Sequence, residues 1–351
     1  MVLLPVLISL FNLVFGLPEA EIVFVGDAMQ HAAQLDAARR GDGTFDYTGC
    51  FASVEPFVKA ADYAVVNLET PVGPGPWSGY PCFNAPGEFA DALADAGFSL
   101  MLTANNHTLD RRDKGLRATL DRLDSRGIAH TGTYRNAAER DSLVPLIKDI
   151  NGFKVAFLNY TYGTNGISAT QGAVVDYIDR DLIRRDIALA RVRGAEIVTV
   201  AVHWGDEYKL LPNGAQRSLA DFLVDNGVDL VIGGHPHVIQ PFEMRTRPDG
   251  TKALVVYSLG NFISNMKTRD TRGGAAVSVT IERDRQGRAR VADASYRLVF
   301  TVAPDGDSRN FRLVDETEPL PSLWHTRREA FIKAATDIFD AHNKNVSRRF
   351  F

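Results

Sequence analysis

The chain has two cysteines in 351 residues, Cys50 and Cys82, too few for a disulfide scaffold or an all-thiolate metal site. It has no basic excess: 39 Lys and Arg nearly balance 43 Asp and Glu, for a formal net charge of -4. No Lys/Arg cluster carries interleaved aromatics, so no nucleic-acid partner is expected. No apolar run is long enough to span a bilayer. The longest, residues 2–15 (VLLPVLISLFNLVF), falls short of the roughly 18–20 residues a spanning helix needs. No GxGxxG or GxxxxGK[ST] follows a strand candidate, which leaves a nucleotide-driven ligase mechanism without residues. Internal repeats and long linkers are also missing. What remains, 45% hydrophobic and 23% charged residues, is globular composition and excludes a collagen-like or disordered chain.

The apolar run at residues 2–15 suits the hydrophobic region of a secretory signal, with small residues near Gly16, although no Lys or Arg precedes it. Residues 1–17 are therefore expected to be a signal peptide, and the chain to be exported to the periplasm or cell envelope. A buried N-terminal strand is the alternative. No cysteine follows the run, which excludes a lipid anchor at the usual place. In an exported chain Cys50 and Cys82 either pair or stay as free buried thiols.

Strands are expected at Ile22–Val25, Tyr63–Leu68, Ser99–Thr103, Lys154–Asn159, Glu196–Val202, Asp229–Ile232 and Leu254–Ser258. Most are rich in β-branched residues and lack polar alternation, as strands covered on both faces should. Helical patterns fall between them. Phe89, Leu93 and Ala96 share a face that Gly97 ends. Asp113 can cap a helix carrying Leu116, Leu120 and Leu123, and Leu219, Phe222 and Leu223 lie on another. Asp149-Ile150-Asn151-Gly152 and Pro248-Asp249-Gly250 read as hairpin turns. Residues 270–302 alternate around Gln286-Gly287 as an antiparallel pair, and His325–Asn343 reads as a terminal amphipathic helix. This order predicts a layered α/β core with largely parallel sheets flanked by helices, an antiparallel extension and a C-terminal helix. The expected division is 20–265 for the core domain, with 266–351 packed on it.

Polar residues gather at one end of the apolar runs. Asp27 follows IVFVG, Asn67 and Glu69 close YAVVNLE, and Asn105, Asn106 and His107 follow LMLTA with Asp110 one turn on. His203 ends a run, His235 and His237 follow LVIGG, and Asn261 follows VVYSLG. In an open α/β sheet, the carboxyl ends of strands are where ligands and catalytic groups converge. Each residue alone has a plain reading: a turn aspartate, a hydrogen-bonded histidine, a helix-capping asparagine. The joint pattern is more specific, because five of the eight histidines (His31, His107, His203, His235, His237) lie in or beside these runs. Mixed Asp, Glu, Asn and His donors suit Zn, Mn or Fe rather than a thiolate-bound metal.

In this order, GDAM (26–29), NLE (67–69), ANNH with Asp110 (104–110), HWG (203–205), GHPH (234–237) and SLGNF (258–262) resemble the calcineurin-like metallophosphoesterase superfamily. The closer likeness is to its CapA branch, the capsule and poly-γ-glutamate biosynthesis proteins. The resemblance implies a divalent transition metal (Mn, Zn or Fe), as one or two ions. Carried over residue by residue, it makes Asp27 the first ligand and Glu69 the stand-in for the bridging carboxylate. Asn106 becomes the amide ligand and His203, His235 and His237 the imidazole ligands. His107 becomes the acid or anion stabiliser. The sequence departs at Met29, where the superfamily places a histidine. Either His31 supplies that donor, or the metal there is weak or absent.

Asp110 either orients His107 or caps a helix. Glu207 is either an acid/base or amine contact or a solvated loop residue. Asn67, Asn105 and Asn261 are candidate substrate contacts. Trp77 and Tyr80, in the Pro/Gly-rich loop Gly73–Pro86, either wall the site or merely pin the loop. The resemblance implies a metal-dependent hydrolase acting on an anionic or amide-linked envelope polymer or peptide, alongside other capsule-assembly proteins. A non-catalytic polymer-binding component and a phosphoesterase are the alternatives.

Overall fold

The computed structural model describes residues 18–305 and 309–350. The expected signal segment, 1–17, lies outside them.

Two sheets pack face to face. The first runs, in spatial order, Arg312–Asp315, Ala289–Val302, Gly273–Arg283, Glu19–Ala28, Tyr63–Leu68, Leu100–Leu102 and Ala129–Thr131. Its last four strands are mutually parallel, and its first three form an antiparallel edge joined to Glu19–Ala28. The second runs Ile239–Thr246, Lys252–Leu259, Leu230–Gly234, Ile197–His203, Phe153–Thr161 and Leu146–Ile150, with four parallel central strands and an antiparallel strand at each edge.

Side-chain alternation explains why these strands read as unbroken apolar runs. Ile22 and Phe24 point into the layer between the sheets, with Val155, Phe157, Ile197, Ile232 and Val256 opposite. Val23 and Val25 point the other way, under Leu35, Phe51, Phe89 and Leu93 of the helical layer. In the second sheet Ala156, Leu158, Val198 and Val200 lie under Ile183, Ile187, Leu219 and Leu223. Both faces of both sheets are covered, so neither face needs polar residues. The helix Ser322–His342 closes one end of the inter-sheet layer with Trp324, Phe331 and Phe339.

Both hairpins form where the turn residues placed them, at 150–153 and 246–252. The alternation over 270–302 is the antiparallel pair Gly273–Arg283 and Ala289–Val302, which continues the first sheet directly. Asp113 does not cap its helix. It sits inside the first turn of Arg112–Ser125, and its carboxylate accepts the backbone N–H groups of Thr170, Gln171 and Ala173. Cys50 and Cys82 are both free thiols. Among the described residues no helix is long and apolar enough to cross a membrane.

Candidate metal centre

Every parallel strand that carries a candidate ligand delivers it at its carboxyl end, so the two sheets present their donors along one edge. Asp27 is the next-to-last residue of Glu19–Ala28, Glu69 follows Tyr63–Leu68, and His203 ends Ile197–His203. His235 and His237 follow Leu230–Gly234. Close approach of the sheets is what makes this edge compact. A Cβ on Gly26 would sit 1.9 Å from the Gly260 carbonyl oxygen, and one on Gly234 would sit 2.8 Å from Asp27 Oδ1. His235 and His237 both hold positive φ, 98° and 58°. Such conformations cost energy outside glycine and persist where surrounding structure over-determines them, commonly at functional sites.

Two overlapping donor groups result. Glu69, His235 and His237 form one; Asp27, Glu69 and His203 form the other. In each group, ligand atoms lie within 4.8 Å of one another, and all five residues are buried. Glu69 is shared. Both of its carboxylate oxygens are buried with no hydrogen-bond partner, as is His235 Nδ1. Buried polar atoms are normally satisfied, so orphaned donors converging on one point fit a divalent cation. Asn106 Oδ1 lies 2.8 Å from His203 Nε2 and faces the same space.

The charges point the same way. Burial raises Glu69 well above the usual carboxylate range, and the neighbouring Asp27 charge adds to it. Burial also pushes Asp27 up, but its contact with His237 and the charges of His203 and His237 win and leave it low. Burial drives His203 and His235 down to about 3, which keeps both imidazoles neutral. For His237 burial is outweighed by the Glu69 charge and the Asp27 contact, which raise it to about 9.

The surrounding asparagines orient the ligands. Asn67 Nδ2 donates to Asp27 Oδ1 at 2.7 Å, and Asn105 Nδ2 donates to the Leu68 carbonyl at 2.9 Å. Asn261 Oδ1 lies 3.0 Å from His237 Nδ1 while its amide donates to the Thr271 carbonyl, which leaves Nε2 of His237 toward Glu69. All three are buried, with amide hydrogen bonds inside the protein. His107 Nδ1 lies 2.7 Å from Asp110 Oδ2, which also accepts the Phe83 N–H at 2.7 Å. Asp110 therefore holds the imidazole; the helix-cap alternative does not apply.

His31 joins neither donor group. Its Nδ1 faces Gln34 Oε1 and the Asn265 N–H, each at 3.3 Å, because a short helix starts immediately after it. Trp77 turns away from the site, packs on Phe45 at 4.8 Å and donates its indole N–H to the Gly73 carbonyl. Tyr80 is exposed, edge-on to the buried Phe83 that packs against His107. Glu207 is an exposed loop residue whose charge reaches His203, His235 and His237. Two tyrosines also border the cluster: one from the segment 159–165 (NYTYGTN), expected at the rim because it follows a strand candidate, and one not anticipated from the sequence. Tyr162, half exposed, lies 4.6 Å from the His235 ring, and Tyr208 lies 6.2 Å from the His237 ring. The segment NYTYGTN sits at a strand end, which was the available signal for Tyr162; exposure of Tyr208 has no sequence signature.

Residues 21–266 match the family described as bacterial capsule synthesis protein PGA_cap. The chain is 30% identical over 278 residues to the PGA biosynthesis protein CapA of Bacillus subtilis (strain 168), covering 76% of this chain and 69% of that one. It is 30% identical over 267 residues to the capsule biosynthesis protein CapA of Bacillus anthracis, covering 73% and 62%. It thus spans about two thirds of the length of these relatives. Among solved structures, the NAD nucleotidase of Haemophilus influenzae superposes with a TM-score of 0.51 over 94% of this chain and 57% of that one, at 12% identity. That likeness concerns the fold, which is of the calcineurin-like metallophosphoesterase type.

Proposed function

Since the chain belongs to the PGA_cap (CapA) family of capsule synthesis proteins, we propose that it is a metal-dependent hydrolase acting on an anionic or amide-linked polymer of the cell envelope. The observation that carries this reading is Glu69: a buried carboxylate with no hydrogen-bond partner, shared by two groups of buried donors. Asp27, Glu69, Asn106, His203, His235 and His237 would hold Mn, Zn or Fe, as one or two ions. When bound, such an ion supplies Lewis acidity, which polarises a carbonyl or phosphoryl oxygen and acidifies water.

The chain's own residues account for the rest. Asn67 and Asn261 fix the orientation of Asp27 and His237, as partners behind metal ligands commonly do. Asp110 commits Nδ1 of His107, so Nε2 is the ring atom left to give a proton to a leaving group or steady a developing charge. Phe83 against that ring excludes water from one side. Tyr80, Tyr162 and Tyr208 offer exposed aromatic surface for an extended chain, and Glu207 on the rim can meet an amine. Function outside the cytoplasm, beside other capsule-assembly proteins, follows the capsule biosynthesis named for the relatives.

The test is incubation of metal-loaded protein with poly-γ-glutamate and, separately, with an aryl phosphate, following chain length and phosphate release. Shortening of the polymer, lost in His107→Ala, supports the reading. Stoichiometric binding without shortening assigns a non-catalytic assembly role, and turnover confined to the aryl phosphate makes the protein a phosphoesterase.

A further inference from the structure

Beyond the Asp110 that holds His107 lies a second cavity of opposite character. It has a volume of about 370 Å³ and opens between the turn Gly73–Pro76 and the start of the helix Arg112–Ser125. Arg111, Arg112 and Lys114 line it within four consecutive positions. Among the described residues, none of these three side chains has an ion-pair or hydrogen-bond partner. Nearby arginines behave differently. Arg122 on the same helix bonds Asp91, Arg126 bonds Asp95, and Arg135 bonds Asp121 and Asp124.

The carboxylates nearest the three cations are bonded to other partners. Asp110 Oδ2 faces His107 Nδ1 and accepts the Phe83 N–H. Asp113 accepts three backbone N–H groups, from Thr170, Gln171 and Ala173. Across the cavity, Asn84 spends its amide hydrogens on the Pro74 and Pro76 carbonyls. Arg112 also holds a φ of 53°, a region where glycine would be relaxed and arginine is not. Three uncompensated cations around a cleft raise the local concentration of anions, and a guanidinium fork matches a carboxylate in shape.

We propose that this cavity is a carboxylate-binding subsite that grips the acidic side groups of a polyanionic chain next to the metal-ligand cluster. The identity of the ligand rests on the polymer reading above; the existence of an anion site rests on the three unpaired cations. Asp110 joins the two places, since it lines this cavity and holds His107, and Arg111 follows it directly.

The experiment measures binding rather than turnover. Fluorescence anisotropy of a labelled glutamate oligomer is compared between the wild-type chain and an Arg111→Gln, Arg112→Gly, Lys114→Gln variant at low salt. Glycine at 112 suits the backbone found there. Exposed charge contacts are individually weak, so the three together should amount to about a tenfold loss of affinity. Should the triple variant not melt cooperatively, the Arg112→Gly and Lys114→Gln single variants replace it, each expected to lose about twofold. The cavity variant should keep the wild-type metal content while losing oligomer affinity, which separates this subsite from the metal reading. Equal affinity in wild type and the cavity variants would overturn the proposal. So would equally tight binding of an oligophosphate of matched charge.

Discussion

If His237 is a metal ligand, metal binding and proton release are one event. The Glu69 charge and the Asp27 contact outweigh the burial of this imidazole and raise it to about 9. A metal ligand must be a neutral imidazole. At pH 7 the proton must leave an imidazole raised to about 9, a cost on the order of 3 kcal/mol, and Glu69, which burial also raises, adds to it. Affinity should therefore rise by about a hundredfold or more from pH 7 to pH 9. His203 and His235, at about 3, are already neutral and add no slope in that range. The same shift acts on the metal-free fold. A raised histidine contributes stability fully below about 6.5, and that contribution is lost as pH rises through about 9. The metal-free chain should thus weaken over the interval in which metal affinity grows. Calorimetric titration of Mn²⁺ or Zn²⁺ in buffers of different ionisation enthalpy counts the protons: at least about one per ion at pH 7, from His237 and from the raised Glu69, and fewer at pH 9.5. Affinity that is flat from pH 6.5 to 9, with no proton release, would refute the coupling.

Three further outcomes follow from the geometry. Gly234→Ala places a methyl 2.8 Å from Asp27 Oδ1, so it should cost about 1–3 kcal/mol in denaturant unfolding and weaken metal binding measurably. Asp110→Asn should lower polymer turnover by about 10–100-fold while metal content stays unchanged, since it frees His107 without touching the donors. Phe331→Ala, under the terminal helix and fully buried, should cost about 3–5 kcal/mol by denaturant titration; a loss below 1 kcal/mol would mean that the helix does not close the inter-sheet layer.

The fold and the donor set were legible for one physical reason. In a parallel sheet covered on both faces, a strand is a continuous apolar run, and the first polar residue after it marks the carboxyl edge. Asp27, Glu69, His203, His235 and His237 each stand at such a point. What could not be read were the directions side chains take once tertiary partners compete for them. Asn261 follows a strand like the ligands do, yet its amide is consumed by His237 and the Thr271 carbonyl. His31 is two residues from Met29 in sequence, but Gln34 and the Asn265 N–H occupy it. Trp77 reads either as a wall of the site or as a pin for its loop, and only the packing on Phe45 and the bond to the Gly73 carbonyl separate the two. Asp113 has the spacing of a cap, and a loop more than 50 residues away claims its carboxylate. The helices at Ala32–Ala38 and Arg180–Val192 went unforeseen: the first is short, and the second carries four arginines that mask its apolar face.

The account depends on Glu69 gathering donors from both sheets around a cation. Elemental analysis of the chain after reconstitution with Mn²⁺ or Zn²⁺ and exhaustive dialysis tests this directly, with Glu69→Gln as the comparison. Retention of one or two ions per chain by the wild type, falling at least tenfold in occupancy for the variant, is the predicted result. Wild-type protein that keeps its cooperative unfolding but retains no ion, or a Glu69→Gln variant that retains as much as wild type, would contradict it.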